Sequence, residues 1–590
     1  MKNFIKEIIE LIKKQKPSKA NLSNIKAKLC KKYKLKNIPT DIEILLNAPI
    51  AEIPKIKKYI ITKPTRTISG VSVCAIMTKP FKCPHVKKGI GPCIMCPGGP
   101  KSVFGNVPQS YTGKEPATRR AIRNNYNPYL QVMNRLEQHV VQGHTPDKLE
   151  LIIMGGTFPS FPKKYQESFI TDAFKAMNDF SSMFFTRTKK RLKGVGGWDV
   201  DIIKFKNFFE LPGNIFDEKR TAKIHKKLTN LQKNRKTTLE KFQSKALKGY
   251  QTCLIREQLK NEKSNIRCVS LVIETRPDYA TLKEADEMLR LGCTKVELGA
   301  QTIYNDVLKK IKRGHTVEDT INSTKILKDL GFKINYHMML GLPGVNKEKD
   351  LFALQALFAF EDFQPDMLKL YPCMVLKGTK LYDLWKRKKY KPLTTNQAAE
   401  IISEFKSIVP EYCRIMRVQR DIPTFMTEAG VDKTNLRQYV GELMKKKKIK
   451  CNCIRCREPK LNKISKQIQI HERHYLASGG NEFFISAEDT KNNLILGFCR
   501  LRFPSQSLRQ EITEDSALIR ELHVYGEAIQ IGKQGRIQHK GIGKALVNKA
   551  ESTAKTYYKK KMVVIAGIGA REYFKKLRYR KEGHYMVKKL

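Results

Sequence analysis

The chain has 590 residues, 41% of them hydrophobic, with 113 basic and 56 acidic residues and a formal net charge of +57. This length exceeds what one hydrophobic core usually organises, so several domains are expected. The basic excess favours a polyanionic partner, nucleic acid first and an anionic membrane surface second.

Membrane and secretory segments are not expected. No apolar run approaches the length of a membrane span, and the N-terminus lacks the continuous apolar core of a signal peptide. The sequence therefore predicts a cytoplasmic protein without membrane association. Its 14 cysteines would then be reduced or bound to metal rather than paired in disulfides.

Residues 1–60 are predicted to form a basic helical segment. Apolar residues recur there at helical spacing, with lysines on the opposite side. A charged face is usually only solvated, but the charge of the whole chain favours contact with nucleic acid. The apolar positions are Phe4, Ile5, Ile8, Ile9 and Ile12.

Residues 61–395 alternate apolar strands with amphipathic helices. This alternation predicts parallel βα units, closed or partly closed into a barrel, with chemistry at the C-terminal strand ends. Residues 186–265 interrupt the pattern and are interpreted as a basic insertion with few core positions. The predicted strands are 71–77, 150–154, 268–274, 295–299, 334–340 and 367–371, and the predicted helices include 281–291, 317–330 and 347–360.

Three cysteines stand in one loop after the first predicted strand, at Cys83, Cys93 and Cys96. Thiolate clusters are typical of both zinc and iron–sulfur sites. Three ligands would leave one iron of a cluster open, whereas zinc would need a fourth ligand from elsewhere. The loop alone leaves both alternatives open.

Other polar and glycine-rich clusters follow the later strands. Gly155 and Gly156 follow the second strand, where glycine lets the backbone approach a ligand closely. Several such clusters in register predict one ligand site at the barrel mouth. The others are Glu274-Thr275-Arg276-Pro277-Asp278, Ala300-Gln301-Thr302, Lys312-Arg313-Gly314-His315 and His337 to Gly344.

Residues 396–459 are predicted to form a linker with a metal site. Cys451, Cys453 and Cys456 suggest a structural zinc ion in a reducing compartment. The fourth ligand is open among Cys413, His471 and His474. The basic run from Arg414 to Arg420 either faces RNA or has a plain structural use.

Residues 460–590 are predicted to form a second, mixed fold. The turn Gln538-His539-Lys540-Gly541-Ile542-Gly543-Lys544 precedes a predicted helix that runs to Tyr557. Backbone N–H groups at such a helix start bind pyrophosphate, so the turn favours an acetyl-CoA site over an ordinary glycine turn. The other predicted elements are strands 483–486, 494–501, 519–524 and 562–566 and a helix at 570–576.

Taken together, these motifs resemble the catalytic subunits of Elongator, in which a radical-SAM enzyme is fused to a GNAT acetyltransferase domain. The resemblance covers about residues 40–590, and the lysine- and isoleucine-rich composition is similar to archaeal members, thought to act without other Elongator subunits. It implies an α/β fold: a partial TIM-like radical-SAM (β/α) barrel followed by an α+β GNAT domain at 460–590. The motifs are Cys-x9-Cys-x2-Cys, Gly-Gly-Thr-Phe, Glu-Thr-Arg-Pro-Asp, Gly-Leu-Pro-Gly, Arg-Glu-Leu-His-Val-Tyr-Gly and Gln-His-Lys-Gly-Ile-Gly.

The resemblance implies that Cys83, Cys93 and Cys96 hold a [4Fe–4S] cluster whose open iron chelates S-adenosylmethionine. Gly155 and Gly156 would present backbone to the methionine moiety. The cofactor would yield a 5′-deoxyadenosyl radical, which abstracts hydrogen from the acetyl methyl of acetyl-CoA. The carbon radical would add to C5 of the wobble uridine in the tRNA anticodon stem-loop, and hydrolysis would leave a carboxymethyl group.

The resemblance also implies the acetyl-CoA contacts. Tyr573 would lie near the thiol of acetyl-CoA. The family often has Tyr-Tyr at this place, whereas this chain has Tyr573-Phe574 and therefore lacks the second hydroxyl. The alternatives are a protein lysine acetyltransferase with a structural iron–sulfur cluster, and a non-enzymatic tRNA-binding scaffold; both leave the barrel motifs unused. The other implied contacts are Lys148, Glu521, Leu522, His523, Val524, Ile542, Gly543 and Lys544.

Overall fold

The computed structural model describes most of the chain. Three of the predicted pyrophosphate-turn residues, Gln538, His539 and Lys540, lie outside the described part. No helix in that part is both long and apolar enough to cross a membrane. The described residues are 1–63, 69–187, 198–214, 217–233, 250–460, 462–465, 467–526 and 541–590.

The N-terminal segment folds into four short helices around a core of its own. The apolar face of the first helix is buried, as its spacing predicts. The third helix begins at a capping box, in which Thr40 and Glu43 satisfy each other's backbone N–H groups. The helices are Lys2–Gln15, Lys19–Lys32, Asp41–Asn47 and Ile53–Ile60.

A seven-stranded parallel sheet forms the centre of the molecule, with its strands in chain order. Parallel strands need helical crossovers, and amphipathic helices between the strands supply them. The predicted fold class, a partial radical-SAM type barrel followed by an α+β domain, is confirmed. The strands are β1 (Ser72–Met77), β2 (Lys148–Met154), β3 (Arg267–Thr275), β4 (Cys293–Gln301), β5 (Lys333–Leu340), β6 (Met367–Pro372) and β7 (Arg414–Arg417).

Helices connect these strands and cover the sheet. The helix Val317–Asp329 shows how the local sequence sets such a helix. Thr316 and Asp319 form a capping box at its start, and its apolar face packs on β4 and β5. The other helices of residues 84–457 are Pro84–Lys87, Pro116–Arg123, Pro128–Val141, Lys163–Phe184, Ile202–Phe209, Glu218–Lys233, Tyr250–Lys263, Leu282–Leu291, Asn305–Lys310, Lys347–Ala359, Lys380–Lys386, Thr395–Lys406, Leu436–Lys446 and Ile454–Arg457.

Two features differ from the sequence-based expectation. The seventh strand, β7, pairs with β6, so the sheet continues past residue 395 into the segment predicted to be a linker. The described part of the insertion at 186–265 has a core: Phe205, Phe209 and Leu228 are buried against the helix Lys163–Phe184 and its neighbours. Residues 188–197, 215–216 and 234–249 of the predicted insertion lie outside the described part. Its basic composition concealed these apolar positions because lysines separate them in sequence.

The C-terminal region forms a second seven-stranded sheet of mixed direction, in the order β8-β9-β10-β11-β12-β14-β13. Its first strand was not predicted, since it lies at the edge of the sheet and most of its side chains are exposed. The helices Ile542–Thr556 and Arg571–Lys576 accompany this sheet. The strands are β8 (Ile468–Ala477), β9 (Gly480–Asp489), β10 (Leu494–Phe503), β11 (Ser516–Val524), β12 (Lys561–Val564), β13 (Arg580–Glu582) and β14 (Tyr585–Lys589).

Buried ion pairs join the two sheets. Arg502 of β10 donates to Asp329, with Nη2 2.5 Å from Oδ1. Arg520 of β11 donates two parallel hydrogen bonds, of 2.9 and 2.6 Å, to the carboxylate of Asp366. Both arginines also bind Glu482, at 3.1 and 2.9 Å. The C-terminal sheet is therefore anchored to the barrel by charge-assisted contacts.

These contacts lie at the N-terminal ends of the barrel strands. Arg520 donates to the carbonyl of Phe332, directly before β5, at 2.8 Å. Gly567 packs so closely on Val269, near the start of β3, that a Cβ there would overlap the backbone. The C-terminal ends of the barrel strands, where the cysteine loop stands, are thus on the far side from the second domain.

Candidate functional site

The cysteine loop leaves the C-terminal end of β1 and lies over the barrel mouth. The short helix Pro84–Lys87 starts directly after Cys83, and the amide of Ile94 donates to the carbonyl of Ile311 at 3.1 Å. Cys83 is buried, whereas Cys93 and Cys96 are half-buried. All three thiols therefore line or adjoin one cavity.

Neutral and cationic donors surround these thiols. Gln109 Nε2 lies 2.9 Å from Cys96 Sγ, and Arg313 Nη1 lies 3.8 Å from Cys93 Sγ. Burial raises the pKa of Cys96, while the Gln109 hydrogen bond opposes this rise. Hydrogen bonds and a positive charge at sulfur suit a group bound as thiolates.

The spacing of the thiols fits a cluster better than a single ion. One tetrahedral zinc at about 2.3 Å from each sulfur would bring the sulfurs within about 4 Å of each other. Within the described residues, Cys83, Cys93 and Cys96 are not among the groups whose ligand atoms all lie within 4.8 Å of one another. A multi-iron cluster spans a wider set of ligands, so these residues fit one.

A glycine cradle follows β2 beside the cysteine loop. Gly155 and Gly156 have φ values of 126° and 107°, a region that side chains disfavour. A Cβ on Gly155 would overlap the hydroxyl of Thr78, and one on Gly156 would lie 3.3 Å from Gln109 Cβ. Only glycine therefore leaves this backbone accessible next to the thiols.

A cavity of about 220 Å³ opens between the cysteine loop and the strand ends. Its walls combine the cysteines and Gly156 with polar residues from the later strands, so the predicted single ligand site at the barrel mouth corresponds to one cavity. These polar residues include Glu274, Glu297, His337, Lys369, Arg417 and Arg420.

The floor of this cavity is a buried charged network. Lys369 is ion-paired with Glu297, and His337 Nε2 lies 2.9 Å from the same carboxylate. Tyr111 donates to Glu274 at 2.9 Å. Burial alone would raise the pKa of Glu297, but the Lys369 charge and the His337 hydrogen bond hold it well below its usual range.

Three of these groups, Glu274, Glu297 and His337, have ligand atoms within 4.8 Å of one another. The Lys369 ammonium already neutralises Glu297, so electrostatics favours a polar substrate pocket over a bound cation here. Sequence reasoning missed Lys369 and Glu297 as site residues. The signal was a charged residue inside an otherwise apolar barrel strand.

The rim of the cavity is basic. Arg417, at the end of β7, is ion-paired with Asp421, and Arg420 donates to the carbonyl of Ser110. Arg414, in contrast, is turned away and binds Glu458, with Nη2–Oε1 at 2.5 Å. In this basic run, Arg417 and Arg420 line the cavity, whereas Arg414 has a structural use; contact of the run with RNA stays a prediction.

In the C-terminal domain, three predicted site residues come together at the start of the helix Ile542–Thr556. A Cβ on Gly543 would lie 2.9 Å from the Tyr573 hydroxyl and 3.6 Å from Val524 Cγ2. Burial raises the pKa of Tyr573 to about 12, so its hydroxyl is protonated near neutral pH. The first turn of the helix, which contains Ile542 and Lys544, offers backbone N–H groups to an anion.

The adjoining strand β11 meets its two neighbours over different stretches. Its described parallel ladder with β12 covers Ser516–Ile519 and ends where β12 ends, at Val564. Glu521, Leu522, His523 and Val524 stay in register with β10. These four predicted contact residues therefore lie beyond the end of the described β11–β12 ladder, and Val524 lies next to Gly543.

Lys148 stands far from the cysteine loop. It begins β2, at the N-terminal edge of the barrel, in register with Arg267. The loop at Gly569 packs on Arg267, three to four residues before Tyr573 in sequence. Burial lowers the pKa of Lys148, and Asp147 opposes this change.

The second cysteine group is compact. The sulfurs of Cys451, Cys453 and Cys456 all lie within 4.8 Å of one another, as a single ion requires. Lys406 Nζ is 3.2 Å from Cys451 Sγ and 3.4 Å from Cys456 Sγ. The predicted fourth ligands, Cys413, His471 and His474, are not part of this compact group of the described chain.

Comparison with protein families gives matches along the first 446 residues. The model of the ELP3 N-terminal domain matches residues 1–68, that of the Radical SAM superfamily residues 211–354, and that of the Radical SAM C-terminal domain residues 365–446. A radical SAM domain implies a [4Fe–4S] cluster and S-adenosylmethionine, which the cysteine loop and glycine cradle fit.

Whole-chain relatives extend these matches. A protein of Methanocaldococcus infernus named tRNA uridine(34) acetyltransferase is 42% identical and covers 100% of this chain and 99% of its own length. Elongator complex protein 3 of Saccharomyces cerevisiae is 36% identical, covering 97% and 92%. A solved structure of the archaeal Methanocaldococcus infernus Elp3 with an N-terminal deletion (1-46) is 37% identical, with a TM-score of 0.66, and covers 89% of this chain and 100% of that chain. The chain therefore belongs to the family of the archaeal tRNA uridine(34) acetyltransferases and Elongator complex protein 3.

Proposed function

We propose that this protein modifies C5 of the wobble uridine in the tRNA anticodon, using radical chemistry on S-adenosylmethionine and acetyl-CoA to form 5-carboxymethyluridine. The observation that carries the proposal is one chain with two candidate sites: a thiol-lined, basic-rimmed barrel cavity, and the start of the helix Ile542–Thr556, where Gly543 lies next to Tyr573 and Val524. A lysine acetyltransferase would leave the first site without a use. Relatives named for tRNA uridine(34) acetylation support the same substrate.

In this proposal, Cys83, Cys93 and Cys96 hold the [4Fe–4S] cluster. When bound, the cluster supplies the electron on which radical chemistry with S-adenosylmethionine depends. Gly155 and Gly156 offer backbone to the methionine part, and Arg313 places a positive charge next to the thiolates. The cysteine loop and the cavity walls exclude bulk water from the reacting groups.

Acetyl-CoA, the proposed cosubstrate, would bind the C-terminal domain. The backbone of Glu521, Leu522, His523 and Val524 would extend the β11 edge toward the pantetheine arm. The helix start at Ile542, Gly543 and Lys544 would bind the pyrophosphate, and Lys148 would contribute a positive charge at the barrel edge. Tyr573 has a hydroxyl that is protonated at neutral pH, as in an ordinary tyrosine, and burial raises its pKa further. This hydroxyl would donate a hydrogen bond near the thioester.

We further propose that Cys451, Cys453 and Cys456 bind a structural zinc ion. The compact sulfur geometry supports a single tetrahedral ion. The site follows directly after the helix Leu436–Lys446 and precedes β8. A zinc ion there would fix the connection between the barrel and the C-terminal sheet.

The tRNA anticodon stem-loop is the partner that the charge of +57 supports. The target base would have to leave its stack to reach the barrel cavity, and Arg417 and Arg420 at the rim suit a neighbouring phosphate. We propose that the protein works in the cytoplasm, without other Elongator subunits.

Anaerobic incubation with tRNA, acetyl-CoA, S-adenosylmethionine and a one-electron reductant for the cluster, followed by mass spectrometry of the wobble nucleosides, tests the function. We expect carboxymethyluridine at the wobble position with the parent protein and none with Cys93→Ala. Acetylated lysine in added protein substrates, with unmodified tRNA, would instead support the lysine acetyltransferase.

A further inference from the structure

A buried polar cluster under the cysteine loop has no part in the proposed chemistry. Its central residue is His85, which lies between Cys83 and Cys93 in sequence and is only 1% exposed. Both of its ring nitrogens have partners from a different part of the chain, the end of β3. These two contacts fix the orientation of the ring and the hydrogen-bonding role of each ring nitrogen.

The partners of His85 determine which ring nitrogen donates and which accepts. Arg276 Nη2 lies 2.7 Å from His85 Nδ1, and a guanidinium can only donate, so Nδ1 accepts. His85 Nε2 lies 2.7 Å from Asp278 Oδ2, and a carboxylate accepts, so Nε2 carries the proton. The ring therefore accepts from Arg276 through Nδ1 and donates to Asp278 through Nε2.

The two partners are themselves held in place. Arg276 Nε binds Asp278 Oδ1 at 3.0 Å, and Arg276 also donates to the carbonyl of Arg313, in the segment after the helix Asn305–Lys310. Burial alone would raise the pKa of Asp278, but the His85 hydrogen bond and the Arg276 charge hold it well below its usual range. The loop is thus joined to two other segments through one ring.

Gly314 completes the arrangement. It adopts a φ of 75°, and a Cβ there would overlap His85 Nδ1. The only residue type that leaves room for the Arg276–His85 hydrogen bond is therefore glycine.

We propose that His85 is a positioning residue that clamps the loop between Cys83 and Cys93 to the end of β3 before any cluster is bound. Ordering a free loop costs conformational entropy for each residue that is fixed, so a loop that is already fixed presents its thiols at a lower free-energy cost. The inference rests on the proposed function, because that function makes these cysteines the cluster ligands.

The test compares His85→Phe, which keeps a planar aromatic ring but loses both hydrogen bonds, with His85→Gln, whose amide can both donate and accept. Lys87→Ala, an exposed change in the same loop, is the matched control. Amide hydrogen exchange of residues 85–91 is measured in the metal-free protein, and iron retention against a chelator is measured after anaerobic reconstitution.

We expect faster exchange confined to residues 85–91 in His85→Phe, and about 10- to 100-fold weaker iron retention, with partial recovery in His85→Gln. Parent-like exchange in His85→Phe would overturn the clamp. If that variant unfolds throughout, Asp278→Asn decides: local loss of protection supports the clamp and unchanged protection overturns it. Iron retained by Cys93→Ala would refute the ligand assignment separately, since the exchange measurement needs no cluster.

Discussion

Substitutions in the two cysteine groups are expected to have opposite effects on the iron and zinc content of the protein. In Cys93→Ala, iron should fall to near background after reconstitution while zinc stays at about one per chain, because three thiolates are the minimum for the cluster. In Cys453→Ala, zinc should be lost and iron kept. Elemental analysis of both variants and the parent provides the measurement, and Cys293→Ala, a buried cysteine outside both groups, is the control. Joint loss of both metals in either variant would contradict two separate sites.

Gly543 gives a residue-level test of the acetyl-donor site. In Gly543→Glu the new side chain would meet the Tyr573 hydroxyl at 2.9 Å and place a negative charge at the helix start. Acetyl-CoA hydrolysis should fall at least about tenfold, as expected when the helix-start anion site is removed and sterically blocked. Lys555→Gln, exposed in the last turn of the same helix, makes the same charge change. Equal hydrolysis in both variants would show that pyrophosphate binds elsewhere.

Single residues were predictable where chemistry restricts the residue type. The cysteines, Gly155, Gly156 and Gly543 stand out because few other residues serve thiolate ligation or close backbone approach. His85 and Lys369 did not, since their roles depend on partners about 190 and 70 positions away in sequence. No local pattern records such pairings.

The buried ion pairs between the sheets are the strongest feature at the level of elements. Burial alone would raise the pKa of Asp366, but the charges of Arg520, Lys328 and Arg500 outweigh it and lower the pKa. Removing the Asp366 carboxylate would leave Arg520, itself fully buried, with Glu482 as its one remaining carboxylate partner among the described residues. Such a loss is far costlier than that of a surface pair.

Asp366→Asn should therefore lower the free energy of unfolding by about 3–5 kcal/mol at neutral pH. Because the folded pKa is depressed, the contribution is fully present above the unfolded pKa of about 4 and is lost as the pH falls toward the folded value. Denaturant titrations at several pH values provide the measurement, with exposed Asp362→Asn as the control. A difference between variant and parent that persists unchanged well below pH 4 would contradict an ionised Asp366.

Elements were predictable where burial leaves an apolar signature. Six barrel strands are predicted from apolar runs of sequence. The seventh, β7, has the sequence Arg-Ile-Met-Arg and therefore contains no apolar run. Its two arginines form ion pairs with Glu458 and Asp421. β8 was missed for a related reason: as an edge strand it keeps most side chains exposed. From sequence alone, neither the Arg-Ile-Met-Arg pattern of β7 nor the exposed pattern of β8 distinguishes a strand from a loop, because the neighbouring strand is not visible in the sequence.

At the scale of the molecule, the proposed sites lie at opposite ends of the barrel strands. The cysteine loop follows the C-terminal end of β1, whereas Arg520 and Gly567 pack near the N-terminal ends of β5 and β3. Strands of six to nine residues span about 20–30 Å at about 3.3 Å per residue. In the proposed reaction, the acetyl group would have to bridge this distance.

The N-terminal helices test what the overall charge is for. Residues 1–60 contain 15 lysines and five acidic residues, and several lysines, including Lys13, Lys26 and Lys32, are already ion-paired within the segment. The segment has its own core, so its removal leaves the barrel and both proposed sites in place. Its remaining charge can serve tRNA without affecting either cofactor site.

Deletion of residues 1–60 should weaken tRNA binding and reduce the slope of log affinity against log salt. Each phosphate that the shortened protein no longer neutralises should lower the magnitude of this slope by about 0.7–0.9, because its counterions are not released. Filter-binding titrations at several salt concentrations measure the slope for the intact and shortened protein. Iron content and tRNA-independent acetyl-CoA hydrolysis should not change, which separates weaker binding from misfolding. Equal slopes and affinities would show that these lysines form only a solvated surface, and the polyanion would then have to bind at the rim around Arg417 and Arg420.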